Sequence, residues 1–181
     1  MAESSDTSAH EGASIPADDL KRSLTIANPA APELPHISVA GDTYTILVSG
    51  AQTGARYCLI DMHVPPGGGP LPHRHDFEEM FTLLEGELSF TFRGETVTIT
   101  AGSSVSIPAN APHSFRNISD RAARMLCMCT PAGLDEFFMA IGDPVDSPTA
   151  PPPPLSPAEI AERQAKAGAL AGRYRTELLI H

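Results

Sequence analysis

The chain has 181 residues, 41% of them apolar and 19% charged, with a formal net charge of −10 at neutral pH. That length supports one domain with a buried core plus tails, and the acidic balance speaks against nucleic acid, whose phosphates would be repelled. No apolar run approaches the roughly 18 residues of a membrane span. The opening "MAESSDTSAHEGASIPADDL" has neither the basic start nor the apolar stretch of a signal peptide. Three cysteines, Cys58, Cys127 and Cys129, are an odd number and too few for a disulfide scaffold, so a cytoplasmic setting is expected.

Residues 1–35 are rich in Ala, Ser, Pro and Asp without periodicity and read as an N-terminal arm. From 36 to 130 the texture changes to short β-like runs broken by turn residues. "TYTILVS" and "ARYCLIDMHV" flank "GAQTG" and read as a hairpin. In the second run Cys58, Ile60, Met62 and Val64 alternate with Tyr57, Leu59, Asp61 and His63, so one face can be buried. "PPGGGPLP" forces a loop, because proline removes donors and glycine permits unusual dihedrals. "EMFTLLEG", "ELSFTFRGETVTIT" with a tight turn at "RGE", "SSVSIPANAPHSFRN" and "ARMLCMC" complete the set. Seven or eight short strands at this spacing predict an all-β sandwich or barrel.

The remainder reads as helical. Thr130 and Pro131 are placed to start a helix over 131–142, with Asp135 and Glu136 at the positive end of its dipole and Gly142 as its stop. Residues 143–155, containing "APPPPL", read as an extended Pro-rich linker. Ser156, Pro157 and Glu159 stand in capping-box spacing and predict a C-terminal helix within 156–181, packed on the barrel or on a neighbouring subunit.

The stretch "GGGPLPHRHDFEEMFTLLEGE" concentrates the chemistry. Side chains alternate along a strand, so ligands on one strand should stand at even intervals. His73 and His75 obey that rule, with Arg74 pointing away. Glu79 has the parity of Phe81 and Leu83, which puts it on the inner face, while Glu78 faces out. His113 in "PANAPHSFRN" is the fourth candidate ligand. Imidazole and carboxylate together suit a divalent transition metal: Fe, Mn, Ni, Cu or Zn. The other histidines read as bland: His63 opposite the core, His36 structural, His10 and His181 in the tails. Cys127 and Cys129 share a strand face and read as small buried apolar residues. Phe81, Leu83, Phe90, Phe92, Val105, Ile107, Phe115 and Met125 are core or pocket lining, which their positions in the chain do not separate.

These residues also resemble a known family. Gly67, His73, His75, Glu79 and Gly86 fit Gly-x5-His-x-His-x3-Glu-x6-Gly, and Gly102, Pro108, His113 and Asn117 fit Gly-x5-Pro-x-Gly-x2-His-x3-Asn. The pair resembles the two motifs of the cupins over residues 40–130. One position departs: Asn110 stands where the second motif has a glycine, and Asn tolerates left-handed dihedrals better than other residues with a Cβ. The resemblance implies a double-stranded β-helix, or jelly-roll, barrel with short C-terminal helices, and within the group the chain is similar to quercetin-dioxygenase-like cupins.

Three histidines and one glutamate fill four positions of an octahedron and leave two for substrate, water or dioxygen. The resemblance implies that Glu79 serves as both ligand and catalytic base. Few cations stand near the motifs, since Arg74 points outward, Arg93 sits at a turn and Arg116 lies on the face opposite His113. An apolar or aromatic small molecule with a hydroxyl, enol or carbonyl group is therefore the expected partner. Three classes of function follow: a metal-dependent dioxygenase or related oxidoreductase; a non-redox isomerase, lyase or decarboxylase; and a non-catalytic small-ligand binder. No nucleic acid or membrane partner is expected. A homodimer is, since open sheet edges invite pairing.

Overall fold

A computed structural model describes residues 14–179 of the chain; His10 and His181 lie outside the described residues. Among the described residues there are twelve strands: β1 (His36–Val39), β2 (Asp42–Val48), β3 (Cys58–Val64), β4 (His73–His75), β5 (Glu78–Glu85), β6 (Glu87–Phe92), β7 (Glu95–Thr100), β8 (Ser104–Ile107), β9 (His113–Arg116), β10 (Ala123–Thr130), β11 (Asp143–Pro144) and β12 (Thr176–Leu178). Three helices accompany them: α1 (Gly50–Thr53), α2 (Leu134–Ile141) and α3 (Pro157–Ala171). The strands form two sheets, in the orders β11-β1-β2-β3-β10-β5-β8 and β12-β4-β9-β6-β7, and every pairing is antiparallel. The chain is an all-β jelly roll with short helices. Among the described residues no helix is long and apolar enough to cross a membrane.

Period-two alternation builds the interior. Cys58, Ile60, Met62 and Val64 of β3 lie in register with Cys129, Cys127, Met125 and Ala123 of β10, and all eight are buried. Phe81 and Leu83 of β5 continue the same face. From the opposite sheet Leu88, Phe90, Ile99 and Phe115 point back at them. Phe81, Phe90 and Phe115 meet with ring centroids 5.6–6.1 Å apart in edge-on and stacked contacts, the offset geometries that aromatic quadrupoles favour. Of the apolar residues near the motifs, Phe81, Leu83, Phe90, Ile107, Phe115 and Met125 are thus core, while Phe92 and Val105 are only half-buried and pack at its margin.

The first sheet has seven strands and the second five, so β1 and β2 need another cover. The C-terminal helices supply it: Phe138 of α2 lies 4.8 Å from Tyr44 of β2, ring to ring, and Phe137 lies 5.4 Å from Tyr174 in a 3₁₀ turn (Gly172–Tyr174) that follows α3.

Four local features differ from the sequence reading. β2 and β3 pair as a hairpin, but "GAQTG" forms the one-turn helix α1, because Ser49 and Gln52 make a reciprocal capping box and Gly54 closes it at φ 63°. Thr130 does not cap α2: it ends β10 with its hydroxyl donated to Arg56 O at 3.0 Å, and Gly133 takes the cap position. The Pro-rich stretch after α2 starts as an edge strand, with Asp143–Pro144 paired to β1 and Ala150 O accepting the Thr43 hydroxyl at 2.7 Å. Most consequentially, Thr176–Leu178 forms β12 alongside β4, where strand contacts reached across about a hundred residues override any local signal.

The loop before β4 is held by backbone and by one buried acid. Gly67 N–H donates to Asn117 O at 2.8 Å and Asn117 N–H to Gly68 O at 2.9 Å. Gly69, at φ 128°, passes so close to the Phe115 carbonyl that a Cβ would overlap it. Asp42 accepts Gly69 N–H and the Tyr44 hydroxyl, each at 3.1 Å. Burial drives its carboxyl up to about 7, against the opposing pull of these two donors and Arg116. A carboxyl raised on folding contributes stability that is full below its unfolded value near 3.8 and is lost as pH rises through about 7. Asp42→Asn therefore should raise the urea midpoint at pH 8 and leave it nearly unchanged at pH 4.

Candidate metal centre

Four side chains converge between the sheets. His73 and His75 come from β4, Glu79 from the start of β5 and His113 from the start of β9. One ligand atom from each lies within 4.8 Å of the others. His75, Glu79 and His113 are 2–3% exposed, while His73 is half-buried and is the accessible side of the group. Glu79 Oε2 stands 3.0 Å from both His75 Nε2 and His113 Nε2. Arg74 points outward into an ion pair with Glu177, and Glu78 Oε1 accepts Ala109 N–H at the surface.

The far side of each ring is equally constrained. His73 Nδ1 meets Leu71 O, His75 Nδ1 meets Phe77 O and His113 Nδ1 meets Ala111 O, all at 2.9 Å. A carbonyl only accepts, so each Nδ1 carries the proton, and a neutral imidazole then aims a lone pair through Nε2. Three lone pairs and one carboxylate facing each other repel unless a cation or protons stand between them. That donor set fits a divalent transition metal, and the carbonyl bonds are the outer contacts that orient imidazole ligands. Phe77 adds a parallel stack on the His75 ring at 3.9 Å.

The motif position occupied by Asn110 keeps its turn. Its φ is 68°, and its N–H donates to His75 O at 2.6 Å, tying the β8–β9 connection to β4. Asn117 is structural: its amide donates to Val64 O and Arg121 O, and its oxygen accepts Ser119 N–H. His36 bonds Thr45 through Nδ1, and His63 lies half-buried on β3, in register with Arg124 away from the centre.

Two contributors escaped the sequence reading. Cys127, expected to be only a small apolar residue, is buried but places Sγ 3.1 Å from Glu79 Oε1, with Cys129 Sγ at 3.7 Å from the same oxygen. Burial pushes the Cys127 thiol up to about 12, so it keeps its proton at neutral pH and donates. Leu178 of β12 lies in register with His73, which pairs with His113, which pairs with Phe92. The two histidines are thus flanked on the inner face by Leu178 and Phe92. Parity on β10 could have hinted at Cys127; nothing local in "RTELL" pointed to Leu178.

Comparison with known proteins agrees with this geometry. A family model for the cupin domain matches residues 60–129, from β3 to β10 with all four converging side chains inside. The chain is 31% identical over 129 residues to quercetin 2,3-dioxygenase of Bacillus subtilis, covering 70% of this chain and 37% of that protein. It is 33% identical over 101 residues to polyketide synthase CurC of Streptomyces cyaneus, covering 54% of this chain and 64% of that protein. The match spans less than two thirds of either relative. In fold it is similar to a predicted oxalate decarboxylase from Thermotoga maritima, at 22% identity and a TM-score of 0.52 over 59% of this chain and 98% of that one. Residues 60–129 thus match the cupin domain, and they carry a cluster of three histidines and one glutamate able to hold a metal ion.

Proton competition at this cluster has a definite sign. Desolvation and the neighbouring His113 ring hold His73 below its ordinary value, so that ring is neutral and available at pH 7. Burial also works against a charged His113, but the adjoining Glu79 carboxylate outweighs it and raises His113 above its ordinary value. A cation must therefore compete with a proton for that ring. Uptake of Mn, Co or Zn should release protons at pH 7, and its affinity should climb with pH by up to about tenfold per unit for one proton. Calorimetry in buffers of different ionisation enthalpy checks this, and His113→Ala should lose tight uptake.

Proposed function

We propose that the chain is a metal-dependent oxidoreductase, a dioxygenase acting on a small apolar or aromatic compound bearing a hydroxyl, enol or carbonyl oxygen. The observation that carries this reading is the cluster of half-buried His73 with buried His75, Glu79 and His113, flanked in strand register by Leu178 and Phe92. Apolar residues beside a few convergent polar groups suit such a ligand. Similarity to a quercetin dioxygenase supports the same class.

A divalent transition metal, when bound, would supply a Lewis acid for oxygen donors and an electron path for dioxygen. The residues of the chain do the rest. The three imidazoles present neutral Nε2 atoms in a fixed arrangement, and the carbonyls behind them prevent the rings from turning. Phe92 and Leu178 exclude water and orient the apolar body of a ligand toward the open side.

Glu79 Oε2 is both ligand and base for a proton on the substrate oxygen. Burial raises the carboxyl, yet its bonds to His113 and His75 pull it below the ordinary range while those rings are charged donors. Once the imidazoles are neutral that pull ends; burial then acts toward a stronger base and a bound cation toward a weaker one. A homodimer belongs to the same reading, since the exposed apolar residues Ile15, Leu20, Leu24 and Ile26 of the arm are surface that a second copy would cover.

Oxygen uptake with flavonols, catechols and β-diketones, measured on Fe-, Mn-, Ni- and Cu-loaded protein, should show turnover with at least one pairing. Silence from every metal form would transfer the chain to non-redox chemistry or to ligand binding. Glu79→Gln should cut turnover by about 10²–10⁴-fold while ligand affinity, followed by fluorescence quenching, stays within a few-fold; a binder would show no turnover to lose.

A further inference from the structure

The two oxygens of Glu79 have different company. Oε2 faces His75 and His113. Oε1 faces the opposite way, into sulfur: Cys127 Sγ at 3.1 Å and Cys129 Sγ at 3.7 Å, with 3.7 Å between the two sulfurs. Among the described residues no nitrogen or oxygen donor reaches Oε1. The carboxylate is 2% exposed at its side chain, so water does not replace these partners, and an unpartnered oxygen there would carry a desolvation cost.

Strand register explains how the thiols come to be there. On the inner face of the first sheet, Ile107 of β8, Glu79 of β5, Cys129 of β10 and Cys58 of β3 form one row. Cys127 lies two residues along β10, opposite Phe81 and Ile60, and leans back toward the carboxylate. All three cysteines are free and buried.

We infer that Cys127 is a positioning residue for Glu79: its S–H bond holds Oε1 against β10 so that Oε2 alone is turned to the three imidazoles, as a one-oxygen ligand. This rests on the proposed metal-binding role of the four converging residues. A thiol suits the task because it is a weak donor. It fixes the carboxylate plane while withdrawing little charge from it. Cys129 buttresses the Cys127 sulfur, and the Cys58 thiol meets Cys129 from the next strand.

The test compares Cys127→Ser with Cys127→Ala, which are close in size and differ by the donor. Both are read by cobalt(II) affinity in a competition titration, by the cobalt absorption spectrum and by the crystal structure around Glu79. Cys127→Ala should weaken cobalt binding by about tenfold, the lower end for loss of an outer contact to a metal ligand, and should change the absorption bands as Glu79 rotates. Cys127→Ser should stay within about threefold of the parent chain, with the parent spectrum. Equal effects of Ser and Ala, or a Glu79 carboxylate that keeps its orientation in Cys127→Ala, would overturn the role assigned to Cys127. A parent chain that takes up no cobalt would defeat the metal reading instead, and the two crystal structures would still decide whether the thiol orients the carboxylate.

Discussion

The site depends on one electrostatic constraint: each of three imidazoles has its Nδ1 committed to a backbone carbonyl, so each Nε2 lone pair must face the same buried carboxylate. Three bonds of 2.9 Å behind the rings and two contacts of 3.0 Å in front of them describe a group that is satisfied on the outside and electron-rich on the inside. In low-dielectric surroundings that arrangement demands positive charge. Much of the nearby structure serves to keep the rings from escaping it: Asn110 in its left-handed turn holds the His75 carbonyl, Phe77 stacks on that ring, and the Gly67–Asn117 backbone bonds pin the loop that delivers His73.

The jelly roll makes the constraint possible because its two sheets contribute differently. The second sheet presents His73, His75 and His113 on adjacent strands, and the first presents Glu79 with a bed of thiols behind it. Below them Phe81, Phe90 and Phe115 fill the interior. The unequal width of the sheets gives the C-terminal segment two tasks. Its helices cover Tyr44 and its neighbours, and its last strand extends the second sheet beside β4 and brings Leu178 level with His73. The exposed Arg74–Glu177 and Arg175–Asp76 pairs at that junction add little stability of their own in water; strand pairing and the Phe137–Tyr174 contact hold it.

How much of this was legible can be seen residue by residue. Period-two parity separated Glu79 from Glu78 and His73 and His75 from Arg74, and it named the buried faces of β3 and β10, because a strand turns alternate side chains to opposite sides whatever its neighbours are. The capping box at Ser156 marked the start of α3, since its reciprocal bonds lie within four residues. Local reading failed where a competing partner lay far away in the chain. Thr130 has the chemistry of a helix cap, but Arg56 O claims its hydroxyl. Cys127 has the composition of core, and its role exists only because β5 is its neighbour. β12 has no pattern of its own and takes its conformation from β4.

The amino-acid order by itself determined the all-β character, the inner and outer faces of the central strands, and which histidines and which glutamate could act together, because alternation and turn chemistry are local and act within a few bonds. Tertiary structure alone decided which carbonyl locks each imidazole, which oxygen of Glu79 faces the rings, which thiol holds the other, and that the C-terminal strand walls the site. Those outcomes depend on sheet register between segments tens to a hundred residues apart, and a strand carries no mark of the partner it will meet.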